Sequence, residues 1–453
     1  MNPENNKSAG GNYRWIICGL LLFSTTVNYM DRQVIGYLKH FFCSSVETGG
    51  FGWKDSDFAN ITSAFTAFYA GMTVLAGWVI DRIGTKLGLA LSLIFWSLFG
   101  MLNAAAGSSK LLHVIIRSAF GAGEAGNFPA SIKTVAEWFP KRERALATGI
   151  FNSGSNLGAM LAAIFVPLCM SHYGDQAGWK MAYILTGAIG FVWLIFWFWL
   201  YDSPKNQKRL SKAEYEYIHN DDEVKSAKDE VVVTAKVPWG KLLGYRQTWA
   251  FFFGKFFTDG IWWFYLFWLP DYLEKQFGMT KKEIIIPSFT VYGIAIIGSV
   301  FGGSLPLFLM KRGMKAYTAR MTAMLMIAVV PMSVLLTQYF GDVSRFGNNA
   351  MILAVSMICI GAAAHQAWSA NLFTTVSDMF PKKAVGSVTG IGAMAGGLGG
   401  VLVQQLKGKL GDAFQSHPQT GYWYMFLLCG FSYVLAWTLM KILVPRHRPI
   451  TDL

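Results

Sequence analysis

Apolar residues run along this chain in long blocks, not in amphipathic stripes. Segments of about 20 residues or more, the length that crosses a hydrocarbon core, recur from end to end. They cover 14–41, 56–80, 87–106, 110–136, 144–170, 179–201, 247–274, 287–310, 317–340, 347–377, 384–406 and 421–444. The pattern predicts an all-α membrane protein with twelve spans. A closed β-barrel would read instead as alternating segments of about ten residues, and is excluded. The first segment predicts a retained helix, because it is too long for a cleaved signal core and holds Asp31-Arg32 with no small-residue cleavage site after it.

The remaining stretches divide the chain into domains. Residues 1–13 are polar and glycine-rich and predict disorder. Residues 14–201 and 247–444 form two six-helix halves, and 445–453 a tail. Between the halves, 202–246 turn charged and predict a cytoplasmic linker with short amphipathic helices, Ser211 and Glu214 being spaced as a capping box.

Composition supports this reading: with 53% hydrophobic and 14% charged residues, the chain is too apolar for a soluble protein of its length. Its five cysteines are scattered, with no metal or disulfide spacing. A net charge of +13 suggests nucleic acid until position is considered. More than half of the 39 Lys and Arg fall in the termini and in the loops after even-numbered spans. By the positive-inside rule both termini are cytoplasmic, and the surplus is a topology signal. The expected surroundings are therefore a lipid bilayer, with no nucleic acid.

Against this background, charges inside spans need a reason. The fourth span reads Arg117-Ser-Ala-Phe-Gly-Ala-Gly-Glu124-Ala-Gly-Asn127-Phe-Pro129. Seven residues of helix make about two turns and rise about 10 Å, so Arg117 and Glu124 share a face. Intramembrane charges mark a bundle interior or a path for ions or substrate; the plainer alternative is an ion pair tying helices together. Gly121 to Gly126 also matches GxGxxG, but the strand and βαβ unit of a dinucleotide site are missing. The first span holds Asn28-Tyr29-Met30-Asp31-Arg32. Adjacent helical residues do not face each other, so Asp31 and Arg32 contact different partners, one on the fourth span and one in the cavity.

An internal repeat organises the rest. Glu137-Trp-Phe-Pro140-Lys with Thr148-Gly-Ile returns as Asp378-Met-Phe-Pro381-Lys with Thr389-Gly-Ile, at a constant offset of 241 residues. The same offset sets His365 opposite Glu124 and Trp368 opposite Asn127, so the tenth span presents His365, Gln366 and Trp368 to the same cavity. A lone interior histidine that is merely satisfied is the alternative for His365. In the fifth span, Asn156 suits cavity lining and helix–helix hydrogen bonding equally. Its counterpart in the eleventh span, Gly392 to Gly400, suits a close-packed seam. The seventh span carries Lys255 and Asp259, spaced to pair along the helix, Tyr265 as a cavity candidate, and Trp268 and Tyr272 as interface-belt residues. Tyr69 lies mid-way along the second span.

The second span ends in Gly77-Trp-Val-Ile-Asp81-Arg82-Ile-Gly84-Thr-Lys86. This resembles the loop between helices 2 and 3 of the major facilitator superfamily, where it latches the two halves on the cytoplasmic side. Asn28-Tyr29-Met-Asp31-Arg32, Arg117-x6-Glu124 and Trp268-Leu-Pro270-x-Tyr272-Leu together resemble the superfamily's anion:cation symporters. Glu137 to Arg144 and Ala364-His365-Gln366-Ala-x-Ser369 look most like its bacterial hexuronate transporters. The resemblance implies two pseudo-symmetric halves with substrate held between them near mid-membrane. It implies proton-coupling roles for Asp31 and Glu124, and a hold on the substrate carboxylate for Arg32. It further implies charge neutralisation by Arg117, site lining by Tyr29 and Tyr69, and gating by Gly77, Asp81, Arg82 and Gly84.

The expectation is a monomeric, multi-pass inner-membrane importer that carries a sugar-acid anion with protons by alternating access. The cargo is a hexuronate, with an aldonate such as galactonate or a glucarate as the alternative. No cofactor beyond the proton is expected. A membrane-embedded enzyme would need an activated nucleophile or a motif such as HExxH, which the seven scattered histidines do not form. A sensor would need a soluble output domain, for which 202–246 is too short.

Overall fold

The computed structural model describes residues 11–223 and 239–451. Ten residues of the N-terminal segment expected to be disordered, and the centre of the linker, lie outside this set. Span 1 is α1 (Tyr13–Cys43), span 2 α2 (Asp55–Ile83) and span 3 α3 (Thr85–Leu102). Span 4 is broken into α4 (Lys110–Glu124) and α5 (Asn127–Trp138). Spans 5 and 6 form α6 (Lys141–Leu200), which turns at Gly174 (φ 70°, ψ 169°), a conformation natural only to glycine. In the linker lie α7 (Lys212–Glu223) and the four-residue α8 (Trp239–Leu242).

Span 7 is α9 (Arg246–Phe277) and span 8 α10 (Ile285–Lys311). Span 9 combines α11 (Ala316–Val329), a 3-10 stretch and α12 (Thr337–Phe340); the short α13 (Val343–Phe346) precedes span 10, α14 (Ala350–Met379). Spans 11 and 12 are α15 (Lys382–Ala413) and α16 (Pro418–Leu443). By length and composition alone, seven described helices are apolar enough to cross a membrane, eight with the bent α2. The long segments outside that set are α1, α4 with α5, and α9, which carry Asp31, Arg32, Arg117, Glu124, Lys255, Asp259 and Asp271. Burying these charges against other helices is what makes such spans tenable.

The repeat read from sequence is also a repeat of backbone. Phe139 ends α5 at φ −127°, ψ 136° and Pro140 opens α6 at φ −62°, ψ 153°. Phe380 ends α14 at φ −115°, ψ 144° and Pro381 opens α15 at φ −64°, ψ 148°. Each proline bars the helical conformation of the residue before it, and so fixes the break.

The halves meet where α1 crosses α9, α2 lies along α15, and α6 lies along α10. The glycine run of α15 forms the seam. A Cβ on Gly397 would fall 2.2 Å from that of Ala70 across the halves, and one on Gly399 1.9 Å from the Phe256 carbonyl. At the face bearing the termini, the described polar pairs include several within a half: Asp81–Lys133, Thr85–Glu137, Lys86–Asp202, Arg14–Glu143 and Arg320–Asp378. Among the described residues, pairs that cross between halves lie at mid-depth or toward the opposite face: Gln366–Asn156, Gln404–Thr66, Lys39–Asp271, Lys407–Asp55 and Lys281–Asp175. The molecule is thus closed at the face opposite its termini.

One expectation changes. Trp268 and Tyr272 are buried, at 0% and 1% exposure, and are core residues rather than an interface belt. The reason is local: Trp268 packs edge-on to Phe58 of the other half, and Tyr272 against Tyr422 and Phe426. Ser211 caps the Glu214 N–H at 3.1 Å, as the capping-box spacing predicts, and the Glu214 carboxylate is buried. It turns to the start of α1, accepting from the N–H groups of Tyr13 and Arg14 and from the Arg14 guanidinium.

Candidate functional site

The site is built on the break in span 4. Gly121, Gly123 and Gly126 let α4 lie against its neighbours: a Cβ at these positions would meet the Phe65 carbonyl at 2.5 Å, the Trp96 N–H at 2.9 Å and Ser92 Oγ at 2.0 Å. This close approach is what the glycine pattern serves here. Glu124 is the last residue of α4, and Pro129, tolerated in the first turn of α5, follows the break. Asn127, at the start of α5, accepts from Ser24 and donates to Thr25 of α1.

Glu124 faces α1. Arg32 Nε donates to its Oε2 at 2.9 Å, and a second guanidinium nitrogen lies at 2.8 Å, with side-chain exposures of 2% and 0%. Arg32 also reaches the Asn28 side chain at 3.3 Å. Four rings surround its guanidinium carbon: Tyr29 at 4.3 Å, Tyr69 at 4.5 Å, Trp263 at 5.1 Å and Phe65 at 5.5 Å. Three belong to the N-terminal half, and Trp263 comes from α9 of the other. The cation thus sits at the junction of the halves, stabilised by ring faces as well as by the carboxylate.

Arg117 does not pair directly with Glu124. It donates to the Arg32 carbonyl at 3.3 Å and lies over Phe65 and Phe120. Two of its nitrogens have no partner among the described residues, nor does Glu124 Oε1. Asp31, one residue before Arg32, points the other way, toward Thr186 and Trp96. It is 3% exposed, and neither carboxylate oxygen has a hydrogen-bond partner among the described residues.

The C-terminal half contributes a second polar group. His365 Nδ1 and the Tyr433 hydroxyl are 2.8 Å apart, and the imidazole stacks on Trp262 at 4.9 Å and 5°. Trp368 packs on Tyr433. Tyr265 is buried in the same half, its carbonyl accepting from Tyr292. Gln366 crosses to Asn156 at 3.4 Å, joining the halves at mid-depth. Of the candidates read from sequence, Arg32, Glu124, Tyr29, Tyr69 and Arg117 form one cluster. Asp31 backs it on the far side of α1, and His365, Trp368 and Tyr265 form a separate cluster. Lys255 and Asp259 pair at 2.6 Å. Gly77, Asp81, Arg82 and Gly84 lie at the face of the termini, where Gly84 turns at φ 83° and Arg82 covers Trp78. Phe65 and Trp263 were not singled out from sequence, since aromatic residues make up 15% of the chain.

Two helical halves around a buried arginine–carboxylate pair at their junction are the frame of a membrane transporter. The comparisons place it more closely: a Major Facilitator Superfamily model matches residues 21–404, and the chain belongs to that family. It is a transporter and not an enzyme. It is 31% identical over 429 residues to the hexuronate transporter of Escherichia coli (strain K12), covering 94% of each chain. It is 33% identical over 299 residues to the galacturonate transporter of Dickeya chrysanthemi, covering 66% of this chain and 83% of that one. Among solved structures, a bacterial homologue of the human lysosomal transporter Spinster, inward-facing and unoccupied, superposes with a TM-score of 0.72 at 17% identity, over 96% of this chain and 98% of that one.

Proposed function

We propose that this protein carries a sugar-acid anion into the cell together with protons, and that its cargo is a hexuronate such as glucuronate or galacturonate. The observation that carries the reading is the Arg32–Glu124 pair inside its aromatic box. A guanidinium fork matches a carboxylate, and Glu124 holds the fork that a cargo carboxylate needs. Cargo and Glu124 therefore compete for Arg32. A proton on Glu124 removes its charge and releases the fork to the anion; loss of that proton returns Glu124 to Arg32 and expels the cargo. Aromatic faces suit the apolar side of a sugar ring, and Asn156 and Gln366 suit its hydroxyls. The relatives named for hexuronate and galacturonate transport support this class of cargo. An aldonate or glucarate is the alternative.

Asp31 supplies a second proton site. Its carboxylate is buried on the far side of α1, facing Thr186 and Trp96. Arg117 stands behind both carboxylates and steadies whichever is ionised. The basic residues at the face of the termini support a cytoplasmic setting for that face in an inner membrane, and on this reading the arrangement described here is closed to the outside. Residues 14–201 and 247–444 are the rocking bodies of a monomer and 202–246 their tether. The segment from Gly77 through Asp81, Arg82 and Gly84 latches the cytoplasmic side when the outer side opens. In weakly buffered detergent solution, glucuronate added to the purified protein takes up protons and makes the medium more alkaline. Binding with no proton uptake would contradict the competition for Arg32.

A further inference from the structure

Successive residues of a helix turn by about 100°, and three polar residues at the middle of α1 take three directions. Asp31 points to Thr186 and Trp96 behind the helix, and Arg32 to Glu124. Gln33 points to α10 of the other half, where its side chain lies against the Tyr292 hydroxyl. Gln33 and Tyr292 are both fully buried. The halves are close at this level: a Cβ on Gly36, one turn along α1, would meet the Leu266 carbonyl of α9 at 3.3 Å.

The Gln33 amide is unsatisfied in this arrangement. Neither its oxygen nor its nitrogen has a hydrogen-bond partner among the described residues. Tyr292 gives its one hydrogen to the Tyr265 carbonyl at 3.3 Å, so toward Gln33 it serves only as an acceptor for the amide nitrogen. The amide oxygen is left without a donor. One turn toward the closed face, Tyr37 and Ser288 also lack partners. Those two face each other, and a rotating hydroxyl can serve its neighbour. Gln33 has no such recourse, and a buried acceptor without a donor is costly. The position fits a donor that arrives with the cargo.

Gln33 also joins two clusters that otherwise stand apart. Arg32 precedes it in the chain. On its other side the Tyr292 ring meets Trp262 at 6.2 Å and 83°, and Trp262 stacks on His365. Trp263, the next residue of α9, closes the box around Arg32, and Gln366, next after His365, crosses to Asn156. The geometry points to Gln33 as the residue that reads a ring hydroxyl of the cargo while Arg32 holds its carboxylate. When the halves move, Tyr292 leaves with its own half and the amide is bared to the cavity. A cargo hydroxyl then donates to the amide oxygen, and the oxygen of a neighbouring hydroxyl accepts from the amide nitrogen. The ligand class is a polyhydroxy carboxylate rather than a plain carboxylate. This deepens the importer reading and rests on it.

The test is competition by 2-, 3- and 4-deoxyglucuronate against labelled glucuronate exchange in proteoliposomes holding the full chain. It compares the parent protein with Gln33→Leu and with Gln33→Asn, which keeps an amide but shortens its reach. In the parent, at least one deoxy analogue should bind about tenfold more weakly than glucuronate. In Gln33→Leu, glucuronate itself should weaken about tenfold, and the deficit of that analogue should vanish, because the lost hydroxyl and the lost amide are one interaction. A side chain that only packs would weaken every ligand alike and leave the deficit in place. Should Gln33→Leu fold poorly, the same loss of the deficit is read in Gln33→Asn. Equal binding of all three analogues by the parent, or deficits that survive in the variants, would overturn hydroxyl reading by Gln33 while the importer reading stands. Should the parent protein move no glucuronate, galacturonate or galactonate, the importer reading itself fails, and the role of Gln33 falls with it.

Discussion

Glu124 holds Arg32 across the gap between α4 and α1 at 2.8 Å, both side chains buried, although Arg117 shares its helix face with Glu124 two turns away. The pairing across helices, not along one, sets the chemistry of the site. It places one carboxylate and one guanidinium where a second carboxylate would have to displace the first.

Arg32→Ala removes the fork and leaves Glu124 buried without its partner. Truncating one member of a buried, hydrogen-bonded charge pair costs about 2–5 kcal/mol. Glucuronate affinity, read by isothermal titration, should therefore fall on the order of 100-fold or more. Arg32→Lys keeps the charge but not the planar fork and should recover only part of it. Wild-type affinity in Arg32→Ala would remove this residue from the site.

Glu124→Gln keeps the shape of the side chain and loses its titration. This variant should bind glucuronate and exchange it across the membrane, yet fail to concentrate it against a gradient when protons are supplied. Uphill accumulation by Glu124→Gln would show that the coupling lies elsewhere.

Gly121 packs on the backbone of α2, where a Cβ would meet the Phe65 carbonyl at 2.5 Å. Gly121→Ala forces α4 away from α2 and should lower stability by about 1–3 kcal/mol. A thermal melt of the purified protein checks this, and a Tm equal to that of the parent would contradict the packing described.

Asp55 takes lysines from both halves, so Asp55→Asn should weaken the closed mouth. Removing one partner of a buried ion pair costs about 3–5 kcal/mol; the Asp55–Lys39 contact lies within one half, whereas those to Lys275 and Lys407 cross between the halves and belong to the closed conformation. A cysteine placed by Gln404→Cys, at a position with 0% exposure, should then react faster with an external, membrane-impermeant maleimide. An unchanged labelling rate would mean that Asp55 does not hold the mouth shut.

Much of this was legible in the sequence, for identifiable reasons. The twelve blocks stand out because a bilayer demands long apolar runs. The matching breaks at Pro140 and Pro381 stand out because proline fixes a local conformation wherever it falls. Arg32 and Glu124 were visible as charges deep within such runs, whereas their pairing depends on how α1 and α4 cross, which no spacing encodes. Lys39, Asp55 and Lys407 were missed because each lies at the edge of an apolar block, where a single charge reads as one that reaches out to water. Only the fold brings them together. Trp268 and Tyr272 misled for a related reason: an aromatic near a span end is a belt residue unless another half covers it.

The most direct test of the account is accumulation of labelled glucuronate in proteoliposomes under an imposed inward proton gradient, with galactonate and gluconate as competitors. Uptake above the equilibrium level that collapses with a protonophore and is blocked only weakly by the aldonates is the predicted result. Uptake that ignores the proton gradient would contradict proton-coupled transport itself.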